Sequence, residues 1–198
     1  MAQARLSTEE RRQQIAEAAL RILAEQGAHR LTAMEIANAV GIADGTVFRH
    51  FKNKEEILGA AIEAFERHLE GDFPPLDLEP LARLKQFFLR RVNKVRERPD
   101  ILRLAFSDRL EEVAGEKNAE RVRAVVARSI AYVRQCLRQA QKEGDVGDDV
   151  PVDVLAFMVM GVMRSTALSG DKKGSRSAQG VWEDVERVLR RSRPGHGA

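Results

Sequence analysis

Thr46, Arg49 and His50 fall on one side of a short helical stretch, from Asp44 to about Phe51, and Lys52 and Lys54 follow just beyond it. A hydroxyl, a guanidinium, an imidazole and two ammonium groups gathered at one end of a helix suit phosphate oxygens and base edges. A helix of that size fits the major groove of DNA. Nothing comparable points to covalent chemistry. The four histidines, His29, His50, His68 and His196, show no metal-ligand spacing. There is no G-x-S-x-G, no phosphate-binding loop and no dinucleotide fingerprint, and Gly41-x-x-x-Gly45 lacks the following Gly-Lys-Ser/Thr. The expectation is a binding protein and not an enzyme, with no catalytic residue, no metal and no cofactor.

Such a face works only if it is held rigidly. Thr32 to Val40 reads as a short helix, with Thr32 and Glu35 as a capping box and Leu31 and Ile36 as a hydrophobic staple. Ala37 is small where one helix must pack on the next, and Gly41 allows a tight turn. Ile36, Val40, Ile42 and Val47 lock the two helices, so the segment reads as a helix-turn-helix. Before it, Ser7 to Gln26 carries a second capping box, Ser7 with Glu10, and an apolar stripe of Ile15, Ala18, Ala19, Ile22 and Leu23 that ends at Gly27. After it, Asn53 caps a helix from Lys54 to about Glu70. A plainer reading remains, a helical hairpin with a solvated basic end, because residues 1–55 hold eight Lys/Arg against seven Asp/Glu.

The run from Gly27 to Gly41, G-x-x-x-L-T-x-x-E-I-A-x-x-x-G, followed by Ile42 to Glu56, resembles the DNA-binding domain of the tetracycline-repressor (TetR) family. The close match covers about the first 65 residues. The resemblance implies that Thr32 touches a phosphate and that Thr46, Arg49 and His50 contact base edges or backbone. It also implies that Lys54 offers its charge, with the N-terminus of the helix it opens, to a phosphate. Two positions depart from the family pattern. Phe48 stands where Tyr is usual, so it lacks a phenolic hydroxyl and is left to pack or to touch a thymine methyl. Ala43 replaces the usual Ser or Thr cap of the recognition helix, with Asp44 placed to compensate through the helix dipole.

The chain has 198 residues, 43% hydrophobic and 32% charged, with a formal net charge of +3. That fits a helical globular protein and permits a nucleic-acid partner without requiring one. The single cysteine, Cys136, excludes an internal disulfide and reads as a small buried hydrophobe. The N-terminus lacks the apolar core of a signal peptide. The longest apolar run, Val154 to Met163, has ten residues, too few to span a bilayer, and is flanked by Asp153 and Arg164. A cytoplasmic protein without a membrane partner is expected.

Gly71-Asp72-Phe73-Pro74-Pro75 is the clearest break in the chain. It suggests a DNA-binding domain at 1–55, connected by helix 54–70, and a second helical domain at 71–198. The second half carries helical stripes from Leu81 to Val95, Ile101 to Val113, Asn118 to Glu143, Val152 to Leu168 and from Val181 onward. A polar loop, Gly170 to Gly180, precedes the last, and the tail SRPGHGA reads as disordered. The fold class is therefore all-α, about nine helices. The stretch from Arg83 to Arg98, with seven Lys/Arg and one Asp/Glu, reads as a solvated face or as an attractor of an anionic effector or DNA. Arg103 and Arg109 are further anion partners on the same reading.

Val154 to Met163 is apolar on every side. A helix of this kind needs burial all round. Pairing with the last helix and with a second copy would supply it, through Phe157, Met160, Gly161, Trp182, Val185 and Leu189. A central core helix in a monomer is the alternative. The TetR resemblance implies the same dimer, and an effector cavity enclosed by the later helices. It makes Phe87, Phe88, Leu102, Leu104, Phe106, Ser129, Tyr132, Met158 and Met163 candidates to line that cavity, against the plainer role of core packing. The expected function is a homodimeric regulator of transcription, a repressor released from a palindromic double-stranded DNA operator by a small apolar or aromatic effector. The alternative is a DNA-bound organising or cell-division factor of the same fold that holds a protein partner. A cavity lined by Phe, Tyr and Met would favour the first. A filled core with an exposed apolar groove would favour the second.

Overall fold

The computed structural model describes residues 7–169 and 176–191. Among them the chain is helical without a strand, in the order α1 (Thr8–Gln26), α2 (Ala33–Val40), α3 (Asp44–His50), α4 (Lys54–Glu70), α5 (Pro80–Glu97), α6 (Pro99–Ala105), α7 (Leu110–Ala114), α8 (Glu116–Glu143), α9 (Val152–Ser169) and α10 (Ala178–Arg191). One 3-10 turn, Ala28–Arg30, joins α1 to α2. Residues 170–175 of the polar loop and the tail from 192 lie outside the described residues.

Helices begin where side chains satisfy the free backbone donors of the first turn. Ser7 Oγ accepts from the Glu10 N–H at 3.2 Å, and the Glu10 carboxylate accepts from the Ser7 N–H at 2.7 Å, which closes the capping box of α1. The box at α2 is half made. Thr32 Oγ1 accepts from the Glu35 N–H at 3.2 Å, but the Thr32 N–H donates to the Arg30 carbonyl at 2.9 Å, and the Glu35 carboxylate lies 3.4 Å from Arg30. Asn53 Oδ1 accepts from the Glu56 N–H at 2.8 Å and starts α4 as expected. α3 opens on Ala43 with no side-chain cap, and Asp44 places its carboxylate at the positive helix end, accepting from the Gly45 N–H at 2.7 Å.

One expected helix is two. The stripe from Ile101 to Val113 breaks into α6 and α7, which raises the α-helix count to ten among the described residues. The Ser107 N–H donates to the Leu104 carbonyl at 3.3 Å, and Ser107 Oγ accepts from the Arg109 N–H at 3.3 Å. A hydroxyl that bonds the local backbone competes with the helical ladder.

By their contacts the helices form two compact units, residues 7–68 with 100–125, and residues 69–99 with 126–169 and 176–191. The division does not follow one cut at residue 71, since α6, α7 and the start of α8 group with the N-terminal helices. In the first unit Ile15, Leu20, Leu23, Ile36, Val47, Ile62 and Phe65 are buried. Side-chain pairs tie its elements together: His68 Nε2 lies 2.9 and 3.0 Å from the Glu17 carboxylate oxygens, and Arg121 holds Glu66 at 2.6 and 3.1 Å. In the second unit α5, α9 and α10 pack on one another around Leu84, Phe87, Phe88, Val92 and Trp182. With 18 residues at a mean hydropathy of 1.4, α9 is longer than its ten-residue apolar run. By length and composition it is enough to cross a bilayer; here it packs along α5 and α10.

Gly41 ends α2 in the left-handed region, at φ 76° and ψ 42°. A side chain there adds strain even though open space surrounds it. Gly41→Ala is expected to lower stability by roughly 1–2 kcal/mol in urea denaturation; an unchanged midpoint would mean the turn is not held in this conformation.

Candidate nucleic-acid interface and ligand-binding core

The α2–α3 pair is fixed from beneath by Ile36, Ala37 and Val47, all buried, which turns Phe48 and Arg49 outward. Thr46 is half-buried and Arg49 exposed. Arg49 Nη2 donates to Thr46 Oγ1 at 2.8 Å, so the two expected contact residues already share one orientation. Phe48 is 60% exposed, and no core requires it. Met34 on α2 is 63% exposed and was not singled out by the sequence. Thr32 is exposed; its oxygen caps α2 and its own hydrogen stays free to donate. The Lys52 side chain is exposed while its N–H donates to the Glu56 carboxylate at 2.9 Å. Lys54 Nζ donates to the Ala28 carbonyl at 2.5 Å, which ties α4 to the 3-10 turn and leaves two of its three ammonium hydrogens for another acceptor.

His50 has a position that sequence alone did not foresee. Its Nδ1 is buried with no hydrogen-bond partner among the described residues. Burial, and then the neighbouring cations Arg12, Arg49 and Arg11, push its imidazole below the usual histidine range. The sequence also missed Arg12. From α1 it donates to the His50 carbonyl and stands 4.3 Å over the Phe51 ring, a cation–π contact that clamps the last turn of α3. The two residues are 38 positions apart, beyond the reach of helical periodicity.

In the second unit Phe87, Phe88, Ser129, Tyr132 and Met163 are buried, and Met158 is 44% exposed. Leu102, Leu104 and Phe106 belong to the first unit, where Leu104 is buried, Leu102 half-buried and Phe106 exposed. Three rings meet in the second unit. Phe73 stacks on Phe87 at 5.4 Å and meets Tyr132 edge-on at 5.2 Å, and Phe87 and Tyr132 lie 5.1 Å apart. Tyr132 Oη donates to the Pro74 carbonyl at 3.2 Å. Cys136 is buried as expected, and burial pushes its thiol up.

The basic stretch of α5 is only in part the solvated face that its composition suggests, with Arg90 exposed and Lys85, Lys94, Arg96 and Arg98 half-buried. Arg83 and Arg91 are buried, Arg83 donating to Gln139 and Arg91 ion-paired with buried Asp72 at 2.7 Å. Arg91 also reaches Ser129 Oγ at 3.3 Å and the Leu69 carbonyl at 3.4 Å, with its guanidinium 4.9 Å from the Phe87 ring centre. Arg103 lies 3.3 Å from Glu25, and Arg109 is held by Glu112.

α9 buries Leu155, Ala156, Val159 and Met163 and leaves Val154, Phe157, Met158 and Leu168 exposed, Phe157 at 82%. Beside α10 this face forms an apolar groove of about 230 Å³, lined by Met158, Val159, Val162, Val181, Val185 and Leu189, among others. Gly161 is exposed and Met160 and Val185 half-buried on the same pair of helices. Trp182 does not fit the expected dimer contact. It has no exposed surface, its ring lying 5.5 Å from Phe88 within the chain. Leu189, 2% exposed, likewise has almost no surface to offer.

Residues 15–61 match the family model described as bacterial regulatory proteins, tetR family, and residues 84–192 match the one described as tetracyclin repressor-like, C-terminal domain. The fatty acid metabolism regulator protein of Bacillus subtilis (strain 168) is 49% identical over 45 residues, 23% of this chain and 23% of that protein. The nucleoid occlusion factor SlmA of Marinomonas sp. (strain MWYL1) is 26% identical over 140 residues, 69% of this chain and 68% of that protein. The match thus spans 23% to 33% of the length of several curated relatives and about two thirds of another. Among solved structures, the ketosteroid transcriptional regulator KstR2 of Mycobacterium tuberculosis shares the fold at a TM-score of 0.70 and 21% identity, over 90% of this chain and 92% of that one.

The chain's one tyrosine makes the aromatic cluster measurable. Burial, reinforced by Cys136, pushes the Tyr132 phenol from 10.0 up to about 12. The folded state keeps this proton where the unfolded chain loses it, so the stability it contributes is complete below pH 10 and is lost as pH rises through about 12. Phenolate absorbance during alkaline titration should therefore lag well behind a free tyrosine; a midpoint near 10 would contradict the packed environment.

Proposed function

The chain belongs to the tetR family of bacterial regulatory proteins, and from that premise we propose that it is a homodimeric, DNA-binding repressor of transcription, released from its operator by a small apolar or aromatic effector. The observation that carries the DNA-reading role is the outward face of α3. There Arg49 is already aligned on Thr46, Phe48 is exposed without a folding role, and Arg12 holds the end of the helix. Residues 1–55 read the DNA, helix 54–70 connects, and residues 71–198 bind the effector and dimerise. Thr32, Lys52 and Lys54 hold phosphates, and Thr46, Phe48, Arg49 and His50 meet backbone or base edges.

Pairing uses the apolar face of α9 and α10 around Phe157, Met160, Gly161 and Val185, because an exposed helix face of this kind needs a cover. The effector acts by preferring one conformation of the dimer over the DNA-competent one. Its contacts come from the residues around Phe87, Ser129 and Tyr132. The protein works in the cytoplasm and carries out no chemical conversion. A second reading, a DNA-bound organising factor that holds a protein partner, is supported by the SlmA similarity and by the exposed apolar groove of α9 and α10.

Arg49→Ala tests the reading face. On an operator selected from random duplexes, it should weaken binding by about 1–3 kcal/mol and flatten the salt dependence. Unchanged affinity across the salt series would remove α3 from the interface.

A further inference from the structure

The segment between α4 and α5 lies over the aromatic core of the second unit like a ligand built into the chain. Asp72 sets a carboxylate against the Arg91 guanidinium at 2.7 Å. Phe73 sets a ring on Phe87 at 5.4 Å and against Tyr132 at 5.2 Å. Pro74 sets a carbonyl on the Tyr132 hydroxyl at 3.2 Å. Two neighbouring residues thus supply one anion and one aromatic ring to a buried cation and two buried rings.

A buried ion pair is weak evidence of stabilisation, because its desolvation offsets its attraction. Here burial holds the Asp72 carboxyl above its ordinary range even beside Arg91. The pair is therefore no strong lock, and Asp72 is a replaceable partner for Arg91. A guanidinium fork takes a planar carboxylate from any source with the same geometry.

We propose that Arg91, Ser129, Phe87 and Tyr132 form a binding site for an aromatic carboxylate, and that Asp72 and Phe73 occupy it as an internal stand-in until that ligand displaces them. This rests on the effector reading and names the effector's class. The ligand carboxylate takes the place of Asp72 on Arg91, and its ring takes the place of Phe73. The consequence reaches α4, because Arg91 also bonds the carbonyl of Leu69 in that helix's last turn, two residues before Gly71 and three before Asp72. Freeing Asp72 and Phe73 releases the chain directly after the helix that leads to the DNA-reading residues.

Calorimetric titration of the full chain, free of DNA, with phenylacetate, benzoate and cinnamate, each beside its neutral amide, tests the site. The acids should bind and the amides should bind at least about tenfold more weakly. Asp72→Asn and Phe73→Ala, which weaken the internal competitor, should each raise acid affinity by about tenfold, since apparent affinity scales with the fraction of open site. Arg91→Gln should abolish binding; if that variant does not fold, Arg91→Lys should retain weak acid binding and lose selectivity for a planar carboxylate. Equal binding of acid and amide overturns the proposal, as does an Asp72→Asn variant with unchanged affinity, or no acid binding to any variant. Parallel operator retention separates the two readings. Acids that bind without releasing DNA support the site and overturn the effector role. Release of DNA by a neutral apolar compound, with no acid bound, supports the effector role and overturns the site.

Discussion

The direction in which α3 presents its side chains is set by the reversal at Gly41. A residue in the left-handed conformation lets the chain leave one helix and start another within three residues, and Gly41 adopts it at φ 76°. The turn brings Ile36, Ala37 and Val47 into one buried seam. Once that seam is filled, Phe48 and Arg49 have no direction left but outward, and Thr46 lies half-buried at its edge. The weak start of α3 on Ala43 is tolerable for the same reason. Packing from below and Arg12 from α1 hold the helix where a capping hydroxyl would otherwise have contributed about 1 kcal/mol.

The second unit is governed by a different constraint, the placement of charge inside an apolar bundle. Arg83 and Arg91 are buried on a helix whose other inward residues include Leu84, Phe87, Phe88 and Val92. Each charge needs a partner, and each has one, Gln139 for the first and Asp72 for the second. The linker between α4 and α5 thus rests on side-chain contacts and not on secondary structure. The opposite imbalance marks α9, which has more apolar surface than this unit covers. Buried charge on one side and bare apolar side chains on the other are both departures from a self-sufficient core. Both fall where a regulator needs to respond to something outside itself.

Much of this was legible in the sequence because it is local. Caps at Ser7, Thr32 and Asn53, the stop at Gly41 and the helical stripes are patterns over three to eight residues, and they locate α1 to α4 within a residue or so. The all-helical class follows from the same periodicity, as does the exposure of Arg49, whereas His50, expected outward, is half-buried with its Nδ1 enclosed. What escaped was non-local. Composition cannot say that Arg91 is buried, because its partners, Asp72 and Ser129, come from other parts of the chain. Arg12 reaches His50 across 38 positions. Trp182 fits the apolar stripe of the last helix, and periodicity could not say whether Phe88 or a second copy would cover it. The break at Ser107 was hidden for another reason, since one hydroxyl bond to the local backbone leaves the surrounding apolar spacing intact.

The proposed dimeric reading of DNA joins the two halves of the chain, because a single α3 would have too few contacts to select one site among many. The most direct measurement is the mass of the protein on its operator by light scattering, compared with Phe157→Glu, which places a charge on the most exposed residue of the α9 face. The account predicts two chains of 22.2 kDa per operator for the native sequence, and single chains with much weaker binding for the variant. One native chain per operator, or an unaltered two-chain complex with Phe157→Glu, would contradict it.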